Sequence, residues 1–150
     1  MIVGKEFTFD SAHFLPNYYG KCEKLHGHTY RLRVSVDGPI GDNGLVIDFV
    51  ILKKIVKDRV LNRLDHQLLN DVMPNPSCEN ITKWIWEQLA DLKTLIQQEF
   101  SDPNLPDSIK KYFKEGEEGA VDTGDFSDQV RLSEITLWET PTSFATYRGE

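Results

Sequence analysis

Residues 29–36 alternate without a break: Tyr30, Leu32, Val34 and Val36 fall on one side, Thr29, Arg31, Arg33 and Ser35 on the other. A period of two marks a half-buried strand, because successive side chains leave opposite faces. Residues 2–9, Ile-Val-Gly-Lys-Glu-Phe-Thr-Phe, are rich in β-formers and predict an earlier strand. Asp37-Gly38-Pro39 and Gly41-Asp42-Asn43-Gly44 carry turn chemistry, and Leu45–Ile47 reads as a short extended piece. The period then changes. Phe49, Leu52, Val56 and Val60 stand at helical spacing behind Asp48, an N-cap residue type. A second helix follows Pro74 and Pro76, starting at Ser77, with Ile81, Trp84, Ile85, Leu89, Leu92 and Ile96 on its apolar face. Val130–Glu139 and Ser143–Arg148, separated by Thr140-Pro141-Thr142, predict two closing strands.

The order strand, strand, helix, helix, strand, strand predicts an α+β fold: a four-stranded antiparallel sheet with two helices on one face. Such a sheet has two edges to cover, and extending it into a second copy is one way to do so. Residues 101–128 break the pattern with Pro, Gly and many acids around a basic patch at Lys110–Lys114. They read as a surface insertion in a single 150-residue domain.

A net charge of -7 argues against a general nucleic-acid binder, yet leaves room for a local basic pocket and a small anionic substrate. The two cysteines, Cys22 and Cys78, are too few for a disulfide scaffold. No apolar run approaches the roughly 18 residues of a membrane span. The first residues show no apolar signal core. The expected compartment is the cytoplasm.

Candidate chemistry concentrates in one stretch. Three of the four histidines, His13, His26 and His28, fall within sixteen residues. His26 and His28 are two apart at the mouth of a strand, so both imidazoles leave the same face. His13, at the end of the neighbouring strand, completes a three-histidine set, with Gly27 leaving room for close backbone approach. Zinc suits imidazole, and three protein ligands with an open fourth position is the catalytic arrangement. Spacing alone leaves ordinary histidine packing open as the other reading.

Cys22 lies four residues before His26, beside Lys21 and Lys24, where cations and a metal favour the thiolate; a small apolar filler is the other reading. Asp65 and His66 are adjacent, which simple strand or helix geometry does not bring into a mutual hydrogen bond. Their bland reading is a cap and a helix C-terminal histidine. Glu79 in the first turn of the second helix suits the helix dipole. Glu139 ends a strand, either exposed or as a carboxylate accepting two N–H bonds from a guanidine-like ligand edge.

Six segments together resemble the 6-pyruvoyltetrahydropterin synthase family, most closely its bacterial branch of 6-carboxytetrahydropterin synthases in queuosine biosynthesis. They are Ser11-Ala12-His13; Cys22-x-x-x-His26-Gly27-His28-x-Tyr30; Val46-Ile47-Asp48-Phe49 with Leu52-Lys53; Leu64-Asp65-His66-x-x-Leu69-Asn70; Pro76-Ser77-x-Glu79-Asn80; and Trp138-Glu139-Thr140. They span nearly the whole chain, in the family's order, outside 101–128. The resemblance implies zinc on His13, His26 and His28, and Cys22 as the acid–base group with Asp65 and His66 as its partner pair. It implies Glu139 anchoring the pterin's amino-pyrimidine edge, with Glu79 and Ser77 lining the pocket. The implied fold is the tunnelling fold, its subunits closing into a β-barrel, as a homohexamer of two trimers with pockets between subunits. The implied reaction starts from 7,8-dihydroneopterin triphosphate and gives 6-carboxy-5,6,7,8-tetrahydropterin, acetaldehyde and triphosphate. Cys22-Glu23-Lys24-Leu25-His26-Gly27-His28 also satisfies the Glu-x-x-His-Gly-His pattern of a folate-pathway branch. The alternative this implies is a dual or folate-pathway enzyme, in which Glu23 supports release of 6-hydroxymethyl-7,8-dihydropterin as well. A reading from another class is a non-catalytic oligomer held by zinc, with Cys22 closing the site.

Overall fold

The computed structural model describes residues 1–104 and 129–150. Strand β1 (Ile2–His13) pairs antiparallel with β2 (His26–Asp37) along its whole length, from Ile2 opposite Asp37 to His13 opposite His26. The alternation seen in the sequence sets their faces. Phe9, Ser11 and His13 of β1 and Tyr30, Leu32, Val34 and Val36 of β2 are buried against the helices. Both strands run longer than the apolar pattern predicts, because the ladder carries on to the histidines.

The connection after β2 uses its turn residues as expected. Gly44 adopts φ 81°, and its N–H bonds to the Gly41 carbonyl at 2.8 Å. Leu45–Ile47 forms no strand; Val46 and Ile47 instead enter the core. Helix α1 (Phe49–Val56) is capped by Asp48, whose Oδ1 accepts from Val50 N–H at 2.6 Å. It continues through a π-helical turn (Lys57–Leu61) into α2 (Asn62–Leu64).

That wider turn has a packing cause. Leu52, Val56, Val60 and Leu64 are all fully buried at four-residue spacing. At about 100° per residue, twelve residues of regular helix would rotate Leu64 about 120° from Leu52. The π turn takes one residue out of that drift and keeps Leu64 inside, where each such burial contributes about 1.5–3 kcal/mol. It also aligns Lys54, Arg59 and Arg63, which reach Glu99, Gln98 and Gln88 respectively.

Beyond α2, β3 (Gln67–Leu68) pairs parallel with Ser11 and Ala12. Helix α3 (Cys78–Leu89) is capped by Ser77, whose Oγ accepts from Asn80 N–H at 3.3 Å. The apolar face expected of one helix from Ser77 is split at Ala90–Asp91. Helix α4 (Leu92–Phe100) starts anew, with Asp91 accepting from Thr94 N–H. The chain closes with β4 (Arg131–Trp138) and β5 (Phe144–Tyr147). A bulge in β4 opposite Ser35 and Val36 lets Leu132 and Ile135 share the buried face despite their odd spacing.

The sheet order is β3-β1-β2-β4-β5. The expected four-stranded antiparallel sheet is therefore a five-stranded mixed one. A two-residue parallel strand carries no readable period, which is why β3 escapes sequence analysis. Likewise, each of the two expected helices is divided, the first into α1, the π turn and α2, the second into α3 and α4. The insertion expected at 101–128 lies outside the described residues from 105 onward. Among the described residues, no helix is long and apolar enough to cross a membrane.

Candidate metal centre and active site

Pairing of β1 with β2 places His13 directly opposite His26, with His28 two residues further along the same face. The three imidazoles converge, each offering one ligand nitrogen within 4.8 Å of the others. His13 is fully buried; His26 and His28 are partly so. Nδ1 of His13 bonds to the Pro76 carbonyl at 2.7 Å, and Nδ1 of His26 to the Lys24 carbonyl at 2.7 Å. A carbonyl only accepts, so both rings carry a proton on Nδ1 and turn Nε2 inward. Those two Nε2 atoms are 3.0 Å apart.

His28 completes the set differently. Its Nε2 is buried without a hydrogen-bond partner, with Glu139 Oε1 3.6 Å away. Burial holds the His28 imidazole below its usual pKa; Glu139 opposes this, and His13 and His26 reinforce it. Three converging imidazoles, two with their Nε2 atoms facing each other and the third with a buried nitrogen unpaired, fit a divalent metal ion. Two zinc–nitrogen bonds of about 2.0–2.1 Å at a tetrahedral angle would hold their nitrogens about 3.3–3.4 Å apart. Among the described residues, Cys22 does not belong to the group of possible ligands.

Tyr30, 0% exposed, lies behind the cluster, its ring 5.5 Å from His28 and 6.1 Å from His13. Burial, with Glu139 and Cys78, pushes its phenol far above the ordinary range, so it stays protonated.

Glu139 follows β4, its N–H bonded to the Ser143 carbonyl at 3.0 Å. Thr140 holds that turn through its Oγ1, which accepts from Ser143 N–H at 3.0 Å. Beyond that turn, the Glu139 carboxylate faces His28. Cys78, at the start of α3, donates to the Leu137 carbonyl at 3.4 Å; burial, then Glu139 and Glu79, push its thiol up to about 11. Glu79 is exposed, and the Ser77 hydroxyl is engaged as the helix cap. Cys22 and Glu23 stand together in a one-turn 3-10 helix (Lys21–Glu23), where the Cys22 carbonyl accepts from Leu15 N–H at 2.9 Å.

Asp65 is the C-cap of α2, and the Asp65–His66 pair is joined by a turn rather than by strand or helix geometry. They do meet, Oδ1 to Nδ1 at 3.0 Å. His66 takes a left-handed backbone with φ 57°, held by its N–H bonding to the Asp10 carbonyl at 2.7 Å, and this turns the ring back onto Asp65. Asp65 Oδ1 also accepts from Asp10 N–H at 3.0 Å. That bond first, and His66 second, hold the Asp65 carboxyl below the usual range. Only strand docking creates this geometry, and no local sequence signal announces it.

An open cleft of about 550 Å³ is lined by Asp10, Thr29, His66 and Gln67, with His28 among its other residues. Neither Cys22 nor Glu139 lines it. The structure therefore brings His13, His26, His28 and Glu139 together, and His66 lines a cleft to which His28 also contributes.

A mixed sheet backed by helices, with three imidazoles converging at one end, defines an α+β protein with a metal-competent site. A family model described as 6-pyruvoyl tetrahydropterin synthase matches residues 2–101. The chain belongs to the 6-pyruvoyl tetrahydropterin synthase family, a family of enzymes. It is 34% identical over 150 residues to the 6-carboxy-5,6,7,8-tetrahydropterin synthase of Haemophilus influenzae, covering 97% of each chain. It is 48% identical over 103 residues to the dihydroneopterin monophosphate aldolase of Pyrococcus furiosus, covering 69% of this chain and 76% of that one. The solved 6-pyruvoyl tetrahydropterin synthase of Caenorhabditis elegans superposes with a TM-score of 0.69 at 23% identity, over 100% of this chain and 96% of that one. That likeness shows the shared fold.

Proposed function

We propose that this protein is a zinc enzyme converting 7,8-dihydroneopterin triphosphate and water to 6-carboxy-5,6,7,8-tetrahydropterin, acetaldehyde and triphosphate, in queuosine biosynthesis. The observation that carries the reading is the convergence of His13, His26 and His28 around an unpartnered nitrogen, with the Glu139 carboxylate beside it. The Haemophilus relative, matched end to end, bears the name of that synthase.

Zinc on the three imidazoles would supply Lewis-acid polarisation of the substrate's side-chain oxygens. The protein's own groups do the rest. Glu139 accepts the N–H bonds of the amino-pyrimidine edge, a charge-assisted fork that fixes the ring. Glu79 and Ser77, at the start of α3, line the same pocket. Cys22 takes a proton from the side-chain carbon next to the ring and returns one. Asp65 accepts from His66 Nδ1, which fixes the tautomer and leaves Nε2 to exchange a proton with the side chain. The assembly is a cytoplasmic homohexamer whose sheets close into a barrel, a reading supported by the exposed edges at β3 and β5.

A second reading has a specific support. Glu23 shares the turn of Cys22, and the 48% identical relative is named as an aldolase of dihydroneopterin monophosphate. On that reading the product is 6-hydroxymethyl-7,8-dihydropterin. A non-catalytic zinc oligomer is disfavoured because Cys22 stands outside the group of possible ligands.

The test incubates the zinc-loaded protein with dihydroneopterin triphosphate and, separately, the monophosphate, and identifies products by mass spectrometry. A 6-carboxy pterin with acetaldehyde is the expected result. A 6-hydroxymethyl pterin would replace this reading with the second, and no turnover of either substrate would reject both.

A further inference from the structure

Asn70 lies in a one-turn 3-10 helix (Leu69–Asp71) beside the fully buried Leu69. Its carboxamide grips one backbone residue with both ends. Phe14 N–H donates to Asn70 Oδ1 at 3.0 Å, and Asn70 Nδ2 donates to the Phe14 carbonyl at 2.9 Å. The position of Phe14 gives this clasp its meaning. The β1–β2 ladder ends at His13 opposite His26, and the β1–β3 ladder ends at Ala12 opposite Leu68. Phe14 is the first residue beyond both, and the amide supplies the pair of bonds that a further strand residue would have made. The next residue, Leu15, donates its N–H to the Cys22 carbonyl at 2.9 Å. A short bonded path thus runs from Asn70 through Phe14 and Leu15 to Cys22, starting one residue past His13. Asn70 itself stands four residues after His66.

We propose that Asn70 is a positioning residue: its clasp on Phe14 fixes where β1 ends and so sets the Cys22 turn against the three imidazoles. The inference rests on the role given to Cys22 above. A plain loop anchor would stabilise the fold without acting through Cys22, and the test separates the two.

Asn70→Ala removes both bonds. Asn70→Asp keeps the acceptor for Phe14 N–H and sets a carboxylate against the Phe14 carbonyl. Cys22 alkylation by iodoacetamide is followed by peptide mass spectrometry, with the half-buried Cys78 as internal reference. Zinc content, kcat and KM are measured on the same proteins, and Asn70→Ala is combined with Cys22→Ala. The expected result is retained zinc and a change of about fivefold or more in Cys22 alkylation with Cys78 unchanged. We expect kcat to fall about 10–100-fold with little change in KM, the size of loss that an ångström-scale displacement causes. In the Cys22→Ala background Asn70→Ala should cost no further turnover, since a residue acting through another loses its effect with it. Asn70→Asp should shift alkylation in the same direction, and it carries the test if Asn70→Ala does not fold. Cys22 alkylation within twofold of the wild type, or an equal further loss of turnover in the Cys22→Ala background, would overturn the proposal. If the wild type turns over neither pterin substrate, the proposed function fails, and the alkylation comparison alone still decides the clasp.

Discussion

The Nε2 atoms of His13 and His26 face each other at 3.0 Å across β1 and β2, while both Nδ1–H groups are committed to backbone carbonyls. Two inward-facing ring nitrogens held this close, with His28 Nε2 unpartnered beside them, suit a shared cation. Zinc should therefore raise thermal stability. At a free concentration 100 times its Kd the gain is about 2.7 kcal/mol, which is about 5–11 °C in Tm for a domain of this size. Scanning fluorimetry with zinc and with EDTA checks it. His13→Ala should abolish the shift; a shift retained in that variant would remove His13 from the site.

The proton-transfer role proposed for Cys22 is separable from metal binding, because its thiol lies outside the ligand group. Cys22→Ala should keep one equivalent of zinc and lose about 10²–10⁴-fold in kcat, the usual worth of a positioned acid–base group. Turnover near the wild-type rate would transfer that role to another residue.

Glu139 is expected to act on binding rather than on the proton. Glu139→Gln keeps the shape and loses the charge, and a hydrogen bond to a charged group is worth about 1.5–3 kcal/mol. KM for the pterin should rise about 10–150-fold. A drop in kcat at constant KM would instead place the carboxylate at the reacting carbon.

Asp65 gives a pH signature with a definite sign. Its folded-state pKa is depressed, by the Asp10 N–H first and His66 second. Its contribution to stability is complete above the unfolded value of about 3.9 and is lost as pH falls through the lower folded value. Denaturation measured from about pH 5 down to pH 2 should therefore show a shallower loss of stability in Asp65→Asn than in the wild type. Parallel profiles would mean that the Asp10 clasp does not hold in solution.

Gly149 closes the C-terminal tail over α3. It adopts φ 89°, and a Cβ there would sit 2.5 Å from Cζ2 of Trp86. Gly149→Ala should cost about 1–3 kcal/mol from the backbone conformation alone. Zinc content should not change. Urea unfolding that matches the wild type would show that the tail does not dock.

Much of this protein is written locally. The alternation of 29–36 fixes which face of β2 is buried, because the side-chain period of a strand is two. Asp48 and Ser77 cap their helices where the sequence places them, because capping needs only the residue's own oxygen and the next turn's N–H groups. His26 and His28 share a face for the same local reason. The rest is non-local. His13 meets His26 only through the β1–β2 register, and Glu139 reaches His28 only because β4 lies beside β2. The Asp65–His66 contact needs Asp10 to hold His66 in a left-handed backbone. The π turn answers to four buried side chains at once, and β3 is two residues long because docking on β1, not propensity, creates it. Sequence determined the elements and the ligand types, since these depend on spacing along the chain; tertiary structure decided which of them meet, since distances between strands depend on the whole packed sheet.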